Sequence, residues 1–250
     1  MKLNENTVLA SIDLLIGKNV ALVPYKPEHV PKYHEWMKSP FLQEMTASEP
    51  LTLEEEYEMQ DSWHKDEEKL TFIITSLPND YSKSLDDIPE KEIKDHTVMI
   101  GDVNIFFNDQ DQDPTFGEIE VMIAEPDFRR TGRGREALKI IMGYAIQKLA
   151  LKVIGLKTFH AKISLKNDPS INLFKSKFGF YEIAISTIFQ ETTLEWTLLE
   201  PSSTVKLDEF GDEIEVYGSK ATSEQHNNVL STYKDLIDYW TKNVKIGNYA

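Results

Sequence analysis

The sequence is expected to form an α/β fold, a mixed β-sheet with helices on its faces, on three observations. Hydrophobic periodicity switches repeatedly between 2 and 3.6 over the first 200 residues, in the order β-α-α-β-β-β-α-β-α-β-β. The 250 residues, 40% of them hydrophobic, supply ample core for one large domain or two small ones. No cysteine is present, so neither a disulfide scaffold nor a cysteine zinc site can replace that core.

The elements follow in order. Asn19–Pro24 (NVALVP) reads as a strand. Pro27–Lys38 reads as a helix, with Pro27 near its start and Val30, Tyr33, His34 and Met37 at helical spacing, and Ser39-Pro40 is expected to stop it. Thr52–Lys65 is a second, acidic helix, opened by a Thr52/Glu55 capping box. Leu70–Ser76 is a strand, and the acid-rich stretch 78–96 a solvated loop. Thr97–Phe107 and Gly117–Ala124 alternate as antiparallel strands joined by the turn-rich NDQDQDPT. Ala137, Leu138, Ile141, Tyr144, Ala145 and Leu149 then share one helical face. Lys157–Leu165 is a strand, Pro169–Lys177 a short helix, and Tyr181–Ile188 and Thr193–Leu199 a strand pair.

Composition shifts after Pro201-Ser202-Ser203. Val205–Tyr217 has the alternation of a hairpin, and Glu224–Val244 is an amphipathic helix expected to pack back on the domain, with Val229, Tyr233, Leu236, Ile237, Trp240 and Val244 on one side. The expected organisation is a domain over residues 1–200 and an acidic C-terminal extension over 201–250.

Charge narrows the function. Forty-two acids against 27 bases give a net −15, which opposes general binding to nucleic acid phosphates. No apolar run approaches a bilayer crossing, the N-terminus lacks a signal-peptide layout, and the six histidines show no metal-ligand spacing. A soluble intracellular protein without metal or membrane partner is expected. All four arginines (Arg129, Arg130, Arg133 and Arg135) fall within seven residues of an otherwise acidic chain, which points to a small polyanion bound there.

That window lies in Gly117–Leu138, GEIEVMIAEPDFRRTGRGREAL. Gly132 and Gly134 stand between a strand and a helix. There the backbone N–H groups of Thr131–Arg135 and the positive end of the helix dipole suit a pyrophosphate. Two phosphate-binding patterns fit the glycines. Gly132-x-Gly134-x-x-Ala137 satisfies a dinucleotide fingerprint, but Pro126-Asp127-Phe128 intervenes after the strand, and Lys157 and Thr158 stand where the ribose-binding acid belongs. Arg129-x-x-Gly132-x-Gly134 matches the R/Q-x-x-G-x-G/A signature of acetyl-CoA-dependent N-acetyltransferases without adjustment.

With that signature the chain resembles the GCN5-related N-acetyltransferase (GNAT) superfamily, over about 180 residues. Asn167–Phe180, NDPSINLFKSKFGF, is similar to the superfamily motif N-x-x-S-x-x-L-(Y/F)-x-K-x-G-F. LVPYKPEHVPKYHEWMKSPFLQEMTASEPLTLEEEYEMQDSW, AEPDFRRTGRGREA, DPSINLFKSKFGF and FQETTLEW further resemble one branch, the eukaryotic N-acetyltransferase 9-like proteins. The resemblance implies the acyl-CoA N-acyltransferase fold and acetyl-CoA as cosubstrate. It implies that main chain around Met122, Ile123 and Ala124 pairs with the pantetheine arm or meets the oxyanion, and that Asn167 and Ser170 belong to the cofactor side. It also points to a protein or peptide amine acceptor and, in this branch, to tubulin.

The chemistry asks for a base. A lysine amine is only about one part in 2,500 neutral at pH 7, whereas an α-amine is roughly a tenth to a sixth neutral, so an N-terminus is the easier acceptor. Glu118 and Glu120 share one face of their strand, and Glu118 matches the position of the catalytic glutamate in several GNAT enzymes. A general acid is missing where many relatives place a tyrosine, because Phe174 stands there; Tyr144, Tyr181 and Ser170 lie nearby in motif terms. The expected function is acetyl transfer to a protein amine in the cytoplasm. A GNAT-fold cytoskeletal interaction module is the alternative.

Overall fold

The computed structural model describes residues 13–66, 68–78, 93, 97–107, 115–149, 156–201, 206–207, 213–214 and 219–249. The chain divides into two compact units, residues 1–156 with 236–250, and residues 157–235.

The first unit is built on six strands in the order β11-β1-β2-β3-β4-β5, each antiparallel to its neighbour. They are β1 (Asp13–Ile16), β2 (Val20–Pro24), β3 (Lys69–Ser76), β4 (Val98–Phe106), β5 (Phe116–Ile123) and β11 (Lys245–Asn248). A core of Leu14, Val23, Tyr25, Val30, Tyr33, Trp36, Ile73, Met122 and their neighbours lies on one face. A 3-10 turn (Pro27–His29), α1 (Val30–Met37) and α3 (Leu53–Lys65) belong to this side, and α4 (Arg133–Tyr144) packs on β2, β4 and β5.

Capping chemistry sets these boundaries. Thr52 Oγ1 accepts from Glu55 N–H while the Glu55 carboxylate accepts from Thr52 N–H, the expected box at the start of α3. Ser39-Pro40 ends α1 as expected but also begins α2 (Pro40–Thr46). Ser39 Oγ accepts from Leu42 N–H, and Pro40 occupies the first helical position, where its missing N–H costs nothing. Two strands were not anticipated: β1 is four residues without alternation, and β11 is KIGN at the chain end. β1 lies between β2 and β11 and pairs with both, and the pairing given for β11 is with β1.

The second unit holds β6 (Thr158–Ser164), α5 (Asp168–Phe178), β7 (Tyr181–Ser186) and β8 (Glu191–Thr197), with antiparallel strands in the order β6-β8-β7. Within the stretch expected as a hairpin, β9 (Lys206–Leu207) pairs antiparallel with β10 (Glu213–Ile214). The loop expected over 78–96 and the turn after Phe107 lie mostly outside the described residues.

Residues 201–250 take part in both units. Helix α6 (Ser223–Asn243) starts from a Thr222/Gln225 box. Its first half belongs to the second unit, where Thr232 Oγ1 accepts from Trp196 Nε1 at 3.1 Å. Its last turns belong to the first, where Trp240 meets the Tyr144 ring at 6.1 Å and Tyr239 donates to Glu136 at 2.8 Å. The helix therefore packs back, as its apolar stripe predicts. Among the described residues no helix is long and apolar enough to cross a membrane.

Candidate active site

The loop after β5 runs through a 3-10 turn (Pro126–Phe128) into the open N-terminus of α4. Gly132 is its N-cap at φ +87, a left-handed conformation that favours glycine, and a Cβ built there meets nothing within 4 Å. The first helical hydrogen bond is Glu136 N–H to Gly132 C=O at 3.0 Å, so the amides of Arg133, Gly134 and Arg135 have no acceptor within the helix. Gly132, at the N-cap position, supplies no side-chain cap of its own. Open space over a glycine, with three such amides at a positive dipole end, fits a pyrophosphate. Glu136 fixes the helix: its carboxylate accepts from Lys18 N–H, Asn19 N–H, Asn19 Nδ2 and the Tyr239 hydroxyl.

The arginine cluster divides in two. Arg129 is a strut, donating from Nε to Ile123 C=O and from Nη2 to Ala124 C=O, both at 2.8 Å, and lying over the Phe41 ring. Arg133 is buried, donating from Nε to Ser76 Oγ at 2.9 Å. Arg130, at φ +60, and Arg135 are exposed beside the helix start, as is Thr131. Glu125 ties the loop to α1: it accepts from Trp36 Nε1 at 2.8 Å and pairs with Lys32 at 2.5 Å, and these bonds, Lys32 first, lower its pKa.

The three backbone positions of interest on β5 are not equivalent. Ala124 N–H donates to Ile100 C=O at 2.8 Å, on the β4 side. The Asp102↔Met122 pairing puts the Met122 main chain on that side as well, and alternation turns Ile123 N–H away from β4. Of the three, only the Ile123 amide is turned to the edge of β5 away from β4.

Glu118 and Glu120 share the face that carries the core, opposite Phe106 and Asn104 of β4, with Glu118 half-buried and Glu120 exposed. Sequence reasoning missed their companions there. Asp102 and Asn104 are both 3% exposed, and Asn104 Nδ2 donates to Asp102 Oδ2 at 2.7 Å. Burial pushes the Asp102 carboxyl up to about 6, against the Asn104 bond and Lys69, which favour its charge. Lys69 is buried against the rings of Trp63 and Phe106, and burial pushes its amine down to about 7 despite Glu120, Asp102 and Asp66. The readable signal was the alternation in Gly-Asp-Val-Asn-Ile at 101–105, which looks like a strand's wet face until α1 and α3 cover it.

In the second unit, Asn167 is the N-cap of α5, its Oδ1 accepting from Ser170 N–H at 3.2 Å. Phe174 is 2% exposed and packs edge-on to Phe180 at 5.0 Å, which makes it a core residue. Neither tyrosine considered in its place has a spare hydroxyl. Tyr181 donates to Glu195 at 2.5 Å, and its phenol is raised by burial and that bond. In the first unit Tyr144 donates to Asp13 at 2.8 Å, with its phenol raised likewise. Glu195 also holds His160 Nε2 at 2.8 Å; burial opposes the Glu195 charge, but the bonds from His160 and Tyr181 prevail and lower its pKa. Among the described residues no group of three or more His, Asp or Glu is arranged to hold a metal ion.

Comparison with known proteins gives the family of the chain. The acetyltransferase (GNAT) domain model matches residues 19–180. Alpha/beta-tubulin-N-acetyltransferase 9 of Mus musculus is 51% identical over 201 residues, 80% of this chain and 75% of that one. The Homo sapiens protein of the same name is 47% identical, over 80% and 87%. Spermidine N-acetyltransferase from Vibrio cholerae, solved in complex with CoA and spermine, shares the fold at TM-score 0.53 and 14% identity, over 73% of this chain and 92% of that one. An α/β chain with the R-x-x-G-x-G loop at an uncapped helix start, matched along most of its length, is an N-acetyltransferase: it belongs to the GNAT family, among the N-acetyltransferase 9-like proteins.

Proposed function

We propose that the chain transfers the acetyl group of acetyl-CoA to a protein amine, with an N-terminal α-amine preferred to lysine and tubulin as the protein. The observation that carries the donor is the α4 N-terminus, with its three amides outside the helical ladder and open space over Gly132. In this reading the amides of Arg133, Gly134 and Arg135 bind the pyrophosphate, and Arg130 and Arg135 add charge from solvent. Arg129 and Arg133 hold the loop in shape. Ile123 N–H polarises the thioester carbonyl. A carboxylate on the β4–β5 face takes the proton, and Glu118 is the position the sequence suggests.

Tubulin is supported by the names of the mouse and human relatives, the α-amine by its larger neutral fraction at pH 7. A cytoplasmic location is part of the same reading. The test is CoA thiol release with peptides bearing tubulin N-termini, against the same peptides with blocked α-amines and free lysines. Transfer confined to free α-amines is expected; equal transfer to lysine would overturn the preference. Absence of any transfer would favour an interaction module.

A further inference from the structure

The face shared by β3, β4 and β5 carries polar atoms that the fold leaves unmet. Asp102 Oδ1, Asn104 Oδ1, Glu56 Oε2, Tyr25 Oη and Thr71 Oγ1 are sealed from solvent and have no hydrogen-bond partner among the described residues, and His34 Nδ1, equally sealed, stands 3.9 Å from Glu56 Oε1. Most buried polar atoms in folded proteins have a partner, so five on one face ask for an explanation. The five belong together: Thr71, Asn104 and Glu120 form one row across three strands, and Ile73, Asp102 and Met122 the next. Tyr25 feels the charges of Glu56 and Asp102, and Tyr33 of α1 feels both of these and Glu120.

The chemistry of the five atoms selects their partner. Two are carboxylate oxygens, one is an amide oxygen and two are hydroxyls, so the set is dominated by acceptors. What satisfies it must donate several hydrogen bonds and tolerate negative charge, as an ammonium does with its three N–H groups. Register then places that ammonium. Asp102 is paired directly with Met122, beside the outward Ile123 amide. At about 3.3 Å per residue, Glu120 and Glu118 lie roughly 7 and 13 Å farther back along β5. Asp102 is the carboxylate closest to the amide assigned to the thioester.

We propose that Asp102, with Asn104 beside it, seats the acceptor's ammonium group and removes its proton. This rests on the reading of the chain as an acetyl-CoA-dependent N-acetyltransferase. The ammonium gives one proton to Asp102, and the freed nitrogen lone pair attacks the thioester carbon. A C–N bond forms and the carbonyl electrons move to oxygen. When they return, the C–S bond breaks and the thiolate leaves, taking the second nitrogen proton through solvent as CoA thiol. Asp102 then returns its proton to water, and the sum is amide, thiol and one proton.

The surroundings suit the role. Asp102 interacts with Asn104 on its own strand and Lys69 from β3, and its charge acts on Tyr25 after β2 and Tyr33 of α1. Glu56 of α3, paired with His34 of α1, acts on the same two tyrosines and Glu120 of β5 on Tyr33, while Thr71 of β3 lies opposite Asn104. A carboxyl pushed up to about 6 is ionised at pH 7 yet basic enough to accept a proton. Lys69, pushed down to about 7, carries only part of a competing charge.

The test compares wild type and Asp102→Asn, with acetyl-CoA and two peptide acceptors whose α-amines differ in basicity. Calorimetry should show unchanged acetyl-CoA affinity in the variant, and kcat at pH 7 should fall ~10²–10³-fold. The wild-type kcat should rise through a midpoint near pH 6 that is the same for both peptides. In the variant the midpoint should move up and follow each amine. A variant with wild-type kcat and profile would overturn the proposal and leave the five atoms to ordered water. Should the variant not fold, the wild-type profile still decides: a midpoint that tracks the acceptor's own basicity overturns it. Wild type without transfer to any amine would instead fail the acetyltransferase reading itself.

Discussion

Trp240 of α6 lies against Gly143 of α4 so closely that a Cβ on the glycine would come within 2.9 Å of Trp240 Cε3 and 3.1 Å of its Cβ. The glycine is a seat for the indole, not a conformational need. Gly143→Val should destabilise by ~1–3 kcal/mol, the usual cost of overpacking. Deleting residues 202–250 should do more, because it removes β11 from its pairing with β1, the Tyr239 hydroxyl from Glu136 and the indole from Gly143. Loss of a cooperative denaturation transition is expected. A truncated chain with wild-type cooperativity would show these contacts to be dispensable.

Asp102 should cost the protein stability at neutral pH. Its carboxyl is raised in the fold from 3.8 to about 6. Raised above its unfolded value, it favours the fold below about pH 4, and that contribution is lost as pH rises through about 6. A shift near two units corresponds to about 3 kcal/mol. Asp102→Asn should therefore raise Tm at pH 8 and leave it nearly unchanged below pH 4, while impairing transfer. Thermal melts across pH 4–8 check the sign, and an Asp102→Asn variant less stable at pH 8 contradicts it.

The donor site separates two glycines. A Cβ at Gly134 would sit 3.4 Å from Ile123 Cγ1, an ordinary contact, so Gly134→Val should fold normally and lose acetyl-CoA affinity. Gly132→Ala forces a side chain onto φ +87 and should lose both affinity and ~1–3 kcal/mol of stability. Arg130→Ala and Arg135→Ala should weaken binding modestly, with a deficit that shrinks as salt rises. Calorimetry and melts on the four variants discriminate; unchanged affinity in Gly134→Val would remove the pyrophosphate from this helix start.

The conformation of the glycine–arginine loop was legible in the sequence because its signal is local. Glycine spacing, arginine clustering and a following helix are contiguous, and the structure puts Gly132 at a left-handed N-cap where that pattern implies. The Thr52/Glu55 box was readable for the same reason. What stayed hidden depends on distant partners. Nothing local in DLLI or KIGN marks a strand, since β11 joins the sheet through β1, more than 200 residues earlier in the chain. The bonds of Arg129 and Arg133 were hidden because sequence cannot show that Ile123, Ala124 and Ser76 offer them acceptors. Strand alternation alone does not show that Asp102 and Asn104 are buried, because cover by α1 and α3 is a tertiary event.

Glu118 is the last carboxylate to place. It shares the face of Asp102 but lies four residues from Met122, beyond direct reach of an amine seated by Asp102. With the proton going to Asp102, Glu118→Gln should keep acetyl-CoA affinity and lower kcat by less than about tenfold. That residual loss reflects weaker attraction for a cationic acceptor, so it should appear mainly in KM and fade in salt. Glu120→Gln, one row nearer and exposed, should behave similarly with a somewhat larger KM effect. A lysine peptide should suffer more than an α-amine peptide in Asp102→Asn and not in Glu118→Gln, because only loss of the base exposes the small neutral fraction of lysine. Steady-state rates for the three variants with both peptides across pH 6–9 settle the order. A ~10²–10⁴-fold fall in kcat for Glu118→Gln, rescued by raising pH, would assign the proton to Glu118 and leave Asp102 to hold the amine alone.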